Sequence, residues 1–492
     1  MAETDAGPFD YAVLGGGTAG CVLASRLSED PGTSVCLVEA GPDYGPYGDG
    51  RWPADLLATF SLADSHDWSS DEGSLRSARV LGGCSAHNAC FVLRGAPEDY
   101  DEWGEGWSHA DLAPYLDRAA DAIDAQAATQ EDSPPWARAV REAAGEIGMS
   151  VGDEPDGDPV IEGFAGFPVN APHGVRWNSA FAYLDPARGR ANLQVVPDSP
   201  VDRLELRGST AGEAVLQGAA GERRVRAERF VLAAGAFGSP AILLRSGIGP
   251  AQHLRELSIP VHQELPVGEG LKDHYGMGIV FDPSDQLRRE SSEYGRRPGA
   301  FAATGLLKLR SRHAEDGVWD GHSVPFTGWR QDESGARTDE IYVSLSSHVM
   351  KPRSTGLVRL RSRDAAALPL VDNRFGSDDD GHDLAVIIDG LRRVRELAST
   401  GAIRAVVSGE LEPTASIDND DGWRGHARQA LSSYYHPTST CALGRVVDRD
   451  TRVLGLDNVH VVDASIMPTI PRANTNLSTL AVAERAVDLL RR

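Results

Sequence analysis

One segment near the start of the chain, residues 9–39, restricts the fold more than any other part of the sequence. It reads FDYAVLGGGTAGCVLASRLSEDPGTSVCLVE. An apolar strand at 11–14 is followed by a glycine-rich turn, a helix through Leu27 and a second apolar strand at 34–39. This order is that of a βαβ unit, whose two strands are parallel neighbours in one sheet. The segment therefore predicts an α/β fold with a Rossmann-like sheet.

The turn of this unit has the spacing Gly15-x-Gly17-x-x-Gly20. Gly15 permits a tight turn, Gly17 lets backbone N–H groups approach a pyrophosphate at the positive end of the helix, and Gly20 lets helix and strand pack closely. Glu39 ends the second strand, where its carboxylate can accept a hydrogen bond from a ribose hydroxyl. The unit predicts a dinucleotide site, but this spacing alone does not distinguish NAD from FAD.

Composition narrows the class of protein. The chain has 492 residues, enough for two domains, and its 41% hydrophobic and 24% charged residues are typical of a globular protein. No apolar run reaches the ~18 residues of a membrane-spanning helix. A formal charge of −24 disfavours binding to nucleic acid or to an anionic membrane. The first residues lack the basic and apolar regions of a secretory signal, so we expect a cytoplasmic protein.

The cysteines argue against two kinds of structural site. Their number is odd and no pair has CxxC spacing, which disfavours both a disulfide framework and a zinc centre. We therefore expect no metal, and we expect small buried thiols at Cys21, Cys36, Cys84, Cys90 and Cys441.

A second stretch, RAERFVLAAGAFGSPAILLRSGIG at 226–249, predicts a strand at 230–233 that leads into a helix. Ala234 and Gly235, at the end of this strand, can pack against the first glycine-rich turn. FAD-binding folds that are assembled from distant segments have this arrangement. An ordinary strand-to-helix turn remains the alternative.

The C-terminal part carries the candidate catalytic residues. A strand is predicted at 459–462 and a helix at 478–490, with Asn474 and Asn476 just before the helix. His436 precedes the strand, so His436 and Asn474 can converge on one ligand at the carboxyl edge of the sheet. Histidine exchanges protons near neutral pH, which suits a catalytic base. Taken alone, a single histidine is also common as a structural residue.

Six motifs in this order resemble the glucose–methanol–choline (GMC) oxidoreductases, and among them the choline oxidase-like branch. They are the βαβ unit, ARVLGGCSAHNACFVLRGAPEDYDEWG, GAFGSPAILLRSGIGP, LPVGEGLKDH, HPTSTCALG and VVDASIMPTIPRANTNLSTLAVAERA. The resemblance runs from about residue 8 to the last predicted helix. It implies a discontinuous Rossmann-like FAD-binding domain of the glutathione-reductase type, at 1–155, 191–290 and 440–492. It also implies an α+β substrate-binding domain with an antiparallel sheet, at 156–190 and 291–439.

The resemblance also implies roles for individual residues. His436 and Asn474 match the catalytic pair that flanks the substrate hydroxyl. The implied FAD-binding residues are Gly15, Gly17, Gly20, Glu39, Ala40, Gly82, Gly83, His87, Asn88, Ala89, Val201, Ala234, Asp463, Ala464, Asn474 and Asn476.

His87 stands among small residues in GGCSAHNAC. It matches the position at which choline oxidase-like members attach the 8α-methyl group of the flavin to a histidine nitrogen. Small neighbours suit a backbone that lies against a planar ring, and a neutral imidazole is a competent nucleophile. We expect a covalent histidyl–FAD link; a histidine packed without a bond on the edge of the flavin is the alternative.

The resemblance implies oxidation of a small alcohol to an aldehyde or ketone, with O₂ as the expected acceptor and H₂O₂ as the product. Tyr434 stands where choline oxidase-like enzymes have a small aliphatic residue that assists reaction with O₂. A dehydrogenase with another electron acceptor and an FAD-containing hydroxynitrile lyase therefore stay open. The alcohol and the oligomeric state stay undetermined.

The substrate-binding part is the least regular in sequence. Segments 340–350 and 356–364 predict antiparallel strands that roof the flavin, and 383–398 predicts an amphipathic helix. Glu315, Asp316 and Trp319 are the candidates for a cation site, although we expect them to form an exposed loop.

Overall fold

The computed structural model describes residues 8–63, 65–70, 73–129, 131–153, 161–218, 221–331, 337–413 and 416–492. The strands are β1 (Phe9–Leu14), β2 (Val35–Val38), β3 (Asp67–Ser70), β4 (Gly73–Ala78), β5 (Gln126–Ala127), β6 (Ser150–Asp153), β7 (Gly163–Gly166), β8 (Pro168–Val169), β9 (Leu193–Val196), β10 (Val201–Arg207), β11 (Thr210–Gly218), β12 (Gly221–Leu232), β13 (Glu269–Leu271), β14 (Tyr275–Pro283), β15 (Gly305–Leu309), β16 (Gly321–Ser323), β17 (Pro325–Gln331), β18 (Arg337–Val349), β19 (Gly356–Arg359), β20 (Leu370–Asp372), β21 (Val407–Glu412), β22 (Ser432–Ser433) and β23 (Val459–Val461).

The helices are α1 (Thr18–Leu27), α2 (Ala54–Leu57), α3 (Pro97–Asp101), α4 (His109–Ala122), α5 (Pro135–Glu146), α6 (Gly235–Arg245), α7 (Ala251–Glu256), α8 (Asp285–Gly295), α9 (His382–Ala398), α10 (Gly401–Arg404), α11 (Asp420–Ala430) and α12 (Thr475–Leu490). In the described ranges, none of them combines the length and the apolar character that a transmembrane segment needs.

The first large sheet is the predicted Rossmann-like sheet. β1 lies between β2 and β12 and is parallel to both, while β9 and β23 extend the parallel part on either side. The first half of β12 turns away into an antiparallel meander with β11 and β10. α1 connects β1 to β2, and these strands are fully buried where they carry the apolar runs of the sequence. Because the strands are parallel, their carboxyl ends lie along one edge, which is where ligands bind in such sheets.

The second large sheet is mostly antiparallel and has β14 and β18 at its centre. β17 folds back on β18, and β16, β15 and β7 continue the sheet from β18. Helices α5, α8 and α9 cover one face, with Val343 and Leu345 of β18 in the core between them. The residues of β18 that alternate with Val343 and Leu345 face the opposite side, towards the carboxyl edge of the first sheet.

The strand predicted at 340–350 and the helix predicted at 383–398 are confirmed as β18 and α9. The strand predicted at 356–364 is shorter, and it does not join β18. As β19 it pairs with β13 and β20 in a separate small sheet. Alternating apolar residues indicate a strand but carry no information about its partner, so the prediction of one shared roof was wrong.

The predicted domain limits need correction at two strands. β14 and β6 lie in ranges that the sequence assigned to the FAD-binding domain, yet both belong to the second large sheet. The limit between residues 155 and 156 lies outside the described residues. The strands of the first sheet all come from the predicted FAD-binding ranges.

Candidate active site

A cavity of about 570 Å³ follows the carboxyl edge of the first sheet and ends beneath β17 and β18. The predicted site residues that line it are Gly15, Gly17, Glu39, Ala40, Gly83, Asn88, Ala89, Val201, Ala234, His436, Asp463, Ala464, Asn474 and Asn476. Three predicted residues do not line it: Gly20, Gly82 and His87. One continuous cavity thus joins the glycine-rich turn to the two candidate catalytic residues.

The glycine-rich turn is as tight as its sequence requires. Gly15 has φ +115°, and a Cβ there would lie 2.6 Å from the carbonyl oxygen of Ala233 at the end of β12. A Cβ on Gly20 would lie 1.8 Å from the carbonyl oxygen of Gly15. At Gly17 the nearest atom would be 3.7 Å away, because this residue faces the cavity. The returning strand therefore packs against the turn as predicted, and the turn leaves room for a pyrophosphate at the start of α1.

Glu39 both lines the cavity and ties the turn to β2. Its carboxylate accepts hydrogen bonds from the backbone N–H groups of Gly16 and Gly41, each at 2.8 Å. Burial raises the pKa of this carboxyl to about 7, against the effect of those two donors. The side chain is thereby held in one orientation, with its remaining lone pairs available to a ligand in the cavity.

A second acid fixes the opposite wall. Asp463, after β23, accepts hydrogen bonds from the backbone N–H of Gly235 at 2.9 Å and from Ser239 at 2.6 Å. Burial raises the pKa of Asp463 as well. These contacts join the start of α6 to the end of β23, and so position Ala464 beside the cavity.

The loop that carries His87 crosses the cavity close to the turn. A Cβ on Gly83, which has φ +54°, would lie 2.6 Å from the Cα of Gly17. Cys84 follows in a 3-10 turn (Gly83–Ala86), where its thiol is exposed and lines the cavity. The prediction of a buried thiol was wrong at Cys84, because the turn directs this side chain outwards; the other four cysteines are buried.

The imidazole of His87 lies behind this loop. Its Nε2 atom is buried and has no hydrogen-bond partner within the described part of the chain, while the ring hydrogen-bonds to the backbone of Ser65. Burial lowers the pKa of His87, and the nearby guanidinium of Arg176 lowers it further. His87 is therefore a neutral imidazole with one nitrogen lone pair left unused.

At the other end of the cavity, His436 stands in a chain of hydrogen bonds. Its Nε2 lies 3.0 Å from Asn474 Nδ2, and its Nδ1 lies 2.9 Å from Nδ1 of His274. Nε2 of His274 in turn lies 3.1 Å from the carbonyl oxygen of Met350. Burial lowers the pKa of His436 to about 3 and that of His274 well below its ordinary value, so both imidazoles are neutral.

This chain fixes which nitrogen of His436 carries the proton. A carbonyl oxygen only accepts, so His274 donates to Met350 from Nε2 and its neutral ring accepts at Nδ1. His436 must then donate from Nδ1 and keep a lone pair on Nε2. The hydrogen bond between Asn474 and His436 leads to the same assignment, since the Nδ2 amide group of Asn474 can only donate to Nε2. His436 thus presents a proton acceptor towards Asn474 and the cavity.

Three residues of this arrangement, Asp273, His274 and His348, were not predicted. The carboxylate of Asp273 accepts a hydrogen bond from the backbone N–H of His436 at 2.8 Å, and burial raises its pKa to about 7. Tyr434 stacks on His348 with ring centroids 4.1 Å apart, and its ring centroid is 4.5 Å from that of His436. Asp273 and His274 belong to the motif LPVGEGLKDH, which gave the family resemblance but no role for its last two residues.

The site is assembled from parts that are far apart in the sequence. β22 pairs with β14, which brings 434–436 alongside 273–274. Asn474 immediately precedes α12, which begins at Thr475, and Asn476 lies in its first turn rather than before it. A dinucleotide-sized cavity with a glycine-rich cradle at one end and a neutral imidazole at the other defines a dinucleotide-dependent oxidoreductase. The glycine cradle and the length of the cavity fit a flavin dinucleotide.

Comparison with known proteins identifies the family. Models of the N-terminal and C-terminal parts of GMC oxidoreductases match residues 9–276 and 352–483. Choline oxidase of Arthrobacter globiformis is 32% identical over 98% of this chain and 94% of its own length, and mitochondrial choline dehydrogenase of Homo sapiens is 31% identical over 98% and 90%. The crystal structure of pyridoxine 4-oxidase from Mesorbium loti has a TM-score of 0.82 at 26% identity and covers 98% of each chain. The chain belongs to the GMC oxidoreductase family, and it is an FAD-dependent oxidoreductase.

Proposed function

We propose that this enzyme oxidises an alcohol to an aldehyde or ketone at the His436–Asn474 pair. The observation that carries the proposal is the lone pair on His436 Nε2, held 3.0 Å from a donor amide at the end of the dinucleotide cavity. Bound FAD supplies the hydride acceptor and passes the electrons on to O₂ or another acceptor. The curated relatives named as choline oxidase and choline dehydrogenase support an alcohol as the substrate.

The two residues have complementary tasks. A substrate hydroxyl that enters between them donates its proton to His436 Nε2 and accepts a hydrogen bond from Asn474 Nδ2. As the hydroxyl loses its proton, that amide donor stabilises the developing negative charge on the oxygen. Because burial lowers its pKa to about 3, the His436 ring is neutral and its Nε2 carries no proton before the alcohol binds.

We assign the dinucleotide to the cavity as follows. Glu39 and Val201 hold the adenosine end, and Gly15, Gly17, Ala234, Asp463 and Ala464 hold the pyrophosphate. Gly83, Asn88 and Ala89 lie along the flavin, with Asn474 and Asn476 at the start of α12 beside it. Gly20 and Gly82 act by backbone packing: a Cβ on Gly82 would lie 3.1 Å from the side chain of Asn178.

We further propose that His87 Nε2 bonds covalently to the methyl group of the flavin. Attachment removes one hydrogen from the methyl group and one from the imidazole, as two protons and two electrons, and the electron acceptor takes them up while a C–N bond forms. The lowered pKa of His87, which keeps the imidazole neutral, supports a nucleophilic role. Because Nε2 is buried and His87 does not line the cavity, the bond requires this side chain to turn towards the flavin.

The first experiment is to precipitate the purified protein in acid and to locate the yellow colour. We expect the colour in the pellet for the natural protein and in the supernatant for His87→Ala. Colour in the supernatant for both proteins would contradict the covalent link and leave the rest of the proposal intact.

A second experiment separates the reaction classes. An alcohol substrate should bleach the flavin under anaerobic conditions, and H₂O₂ should form when air is admitted. Bleaching without peroxide would indicate a dehydrogenase, and the bulky Tyr434 ring, whose centroid lies 4.5 Å from that of His436, supports this outcome because choline oxidase-like enzymes have a small aliphatic residue at its position. A hydroxynitrile lyase would show no bleaching at all, and this result would refute alcohol oxidation.

A further inference from the structure

The substrate end of the cavity has one wall made by the free face of β18. Tyr342, Ser344, Ser346 and His348 line the cavity, and as alternate residues of one strand they share a face. Phe326 on β17 pairs with Ser344 and completes this wall. The wall thus combines two large rings with two small hydroxyl side chains.

Flat rings dominate this end of the cavity. Tyr434 stacks on His348 at 8° between ring planes, and Phe326 stacks on Tyr342 with centroids 6.0 Å apart at 30°. Tyr435 lines the mouth and is 50% exposed. In each stacked pair one face of each ring is covered by its partner, so a further aromatic ring can pack on the remaining faces, beside the small serines; we call this space the slot.

This end also carries no formal charge among the described residues that line it. The carboxylates on the cavity wall are Glu39 and Asp463, and backbone N–H donors at the dinucleotide half already hold both. His348 and His436 are neutral, since burial lowers the pKa of each to about 3. A cationic substrate would therefore lose its hydration here without gaining a counter-charge, and only cation–π attraction to the aromatic rings, worth about 2- to 30-fold in affinity, would offset that loss.

The loop that the sequence offered as a cation site does not supply the charge. The side chains of Glu315 and Asp316 are exposed, and neither lines the cavity. Trp319 is buried, and Lys308 Nζ lies 3.7 Å from the centroid of its ring. A cation is thus already bound on that ring. The expectation of an exposed loop is confirmed for Glu315 and Asp316 and was wrong for Trp319, whose ring packs inside the protein.

We propose that the substrate is an uncharged aromatic or heteroaromatic alcohol, and not a quaternary ammonium alcohol. This inference rests on the proposed function, because it names the substrate class of that same site. The ring lies in the slot between Phe326, Tyr342 and Tyr434, and its polar substituents meet the hydroxyl groups of Ser344 and Ser346. The substrate carbinol lies at His436.

The test compares three alcohols on the FAD-loaded enzyme: benzyl alcohol, choline and 3,3-dimethylbutan-1-ol, which has the shape of choline without its charge. We expect benzyl alcohol to exceed the other two in kcat/KM by roughly tenfold or more, and choline to give no advantage over its neutral isostere. A roughly tenfold preference for choline over the isostere would overturn the inference.

Binding is measured separately from turnover, by titrating each alcohol against the flavin absorption spectrum. Tighter binding of benzyl alcohol than of choline supports the inference even if no alcohol bleaches the flavin, a result that would refute only the proposed reaction. Tighter binding of choline would refute the inference and leave alcohol oxidation standing.

Three variants locate the effect. Ser344→Asp adds a carboxylate to the slot and should raise the choline-to-isostere ratio by roughly tenfold. Glu315→Gln removes an exposed carboxylate outside the cavity and should leave that ratio unchanged. Phe326→Leu should lower the preference for benzyl alcohol by about 2- to 13-fold, the range of one aromatic contact. A loss of choline activity in Glu315→Gln alone would place a cation site on the loop and contradict the inference.

Discussion

The tautomer of His436 can be tested by removing the residue that fixes it. His274→Phe deletes the acceptor of the His436 Nδ1–H at 2.9 Å and keeps a flat ring in a position that is fully buried. The remaining N–H has no replacement among the described neighbours, and a buried unsatisfied donor costs about 1–3 kcal/mol. His436 escapes this cost by moving its proton to Nε2, while the amide of Asn474 turns so that its Oδ1, which has no partner within the described residues, accepts there. Nε2 can then no longer accept the proton of an alcohol.

The expected loss follows from that cost. At 1.36 kcal/mol per factor of ten, flavin reduction should slow by about 5-fold to about 160-fold. The measurement is the anaerobic rate of flavin bleaching at saturating alcohol in a stopped-flow instrument, with the substrate dissociation constant taken from the same series. The loss should fall on the rate rather than on the dissociation constant, since the substrate still meets His436 and Asn474.

Two further variants make the test specific. His274→Gln can donate to the Met350 carbonyl through its amide and accept from His436 through its oxygen, so it should recover most of the rate. His460→Phe removes another buried histidine, whose ring hydrogen-bonds to Thr451 and to the carbonyl oxygen of Asp450, and controls for the loss of a buried imidazole. A bleaching rate in His274→Phe within twofold of the natural enzyme would refute the tautomer argument.

Three other changes have equally direct outcomes. His436→Ala should keep its yellow FAD and lose roughly 10²–10³ in turnover, measured as flavin reduction; near-normal turnover would rule out the assignment of the base. Gly20→Ala should give protein without bound FAD, because its Cβ would lie 1.8 Å from a backbone oxygen. The control is Gly145→Ala, whose Cβ would have no atom within 4 Å and which should keep its FAD. The ratio of visible to ultraviolet absorbance measures the bound FAD in both. Burial lowers the pKa of His348 to about 3 in the folded protein, whereas its ordinary value is 6.5. The stability that depends on a neutral His348 is therefore present above pH 6.5. It is lost as the pH falls from 6.5 towards 3, because the unfolded chain binds the proton first. In urea unfolding, the free energy of unfolding of His348→Phe should rise relative to that of the natural protein by up to about 1.4 kcal/mol for each pH unit below 6.5. A difference that does not change with pH would contradict the neutral, buried state.

The dinucleotide half was the most predictable part of the molecule. The residues that predict this half are close together in the sequence. Gly15, Gly17 and Gly20 lie in one turn, and the geometry of the backbone alone decides where a Cβ is tolerated. β1, α1 and β2 follow at once along the chain, so the sequence order is also the order in space. The predicted limits of β1, α1 and β2 accordingly lie within two residues of the observed ones, whereas β12, predicted at 230–233, begins nine residues earlier at Gly221.

The reactive end was predictable only in part. His436 and Asn474 were found through the family motifs, and no local pattern distinguishes them from structural residues. Asp273 and His274 were quoted within a motif, but their roles depend on the pairing of β22 with β14 some 160 residues away. The exposure of Cys84 and the membership of β19 in a separate sheet likewise depend on packing that no window of sequence contains.

By itself the sequence determined the α/β class, the glycine cradle and the family, because those depend on backbone sterics and on the spacing of neighbouring residues. Only the tertiary structure decided the chemistry of the reactive end. Whether His436 is charged, which nitrogen keeps its lone pair, and whether the substrate slot holds a counter-charge are set by burial and by partners from distant strands. The physical reason is that desolvation and hydrogen-bond direction are properties of the assembled surroundings of a side chain, and not of its neighbours along the chain.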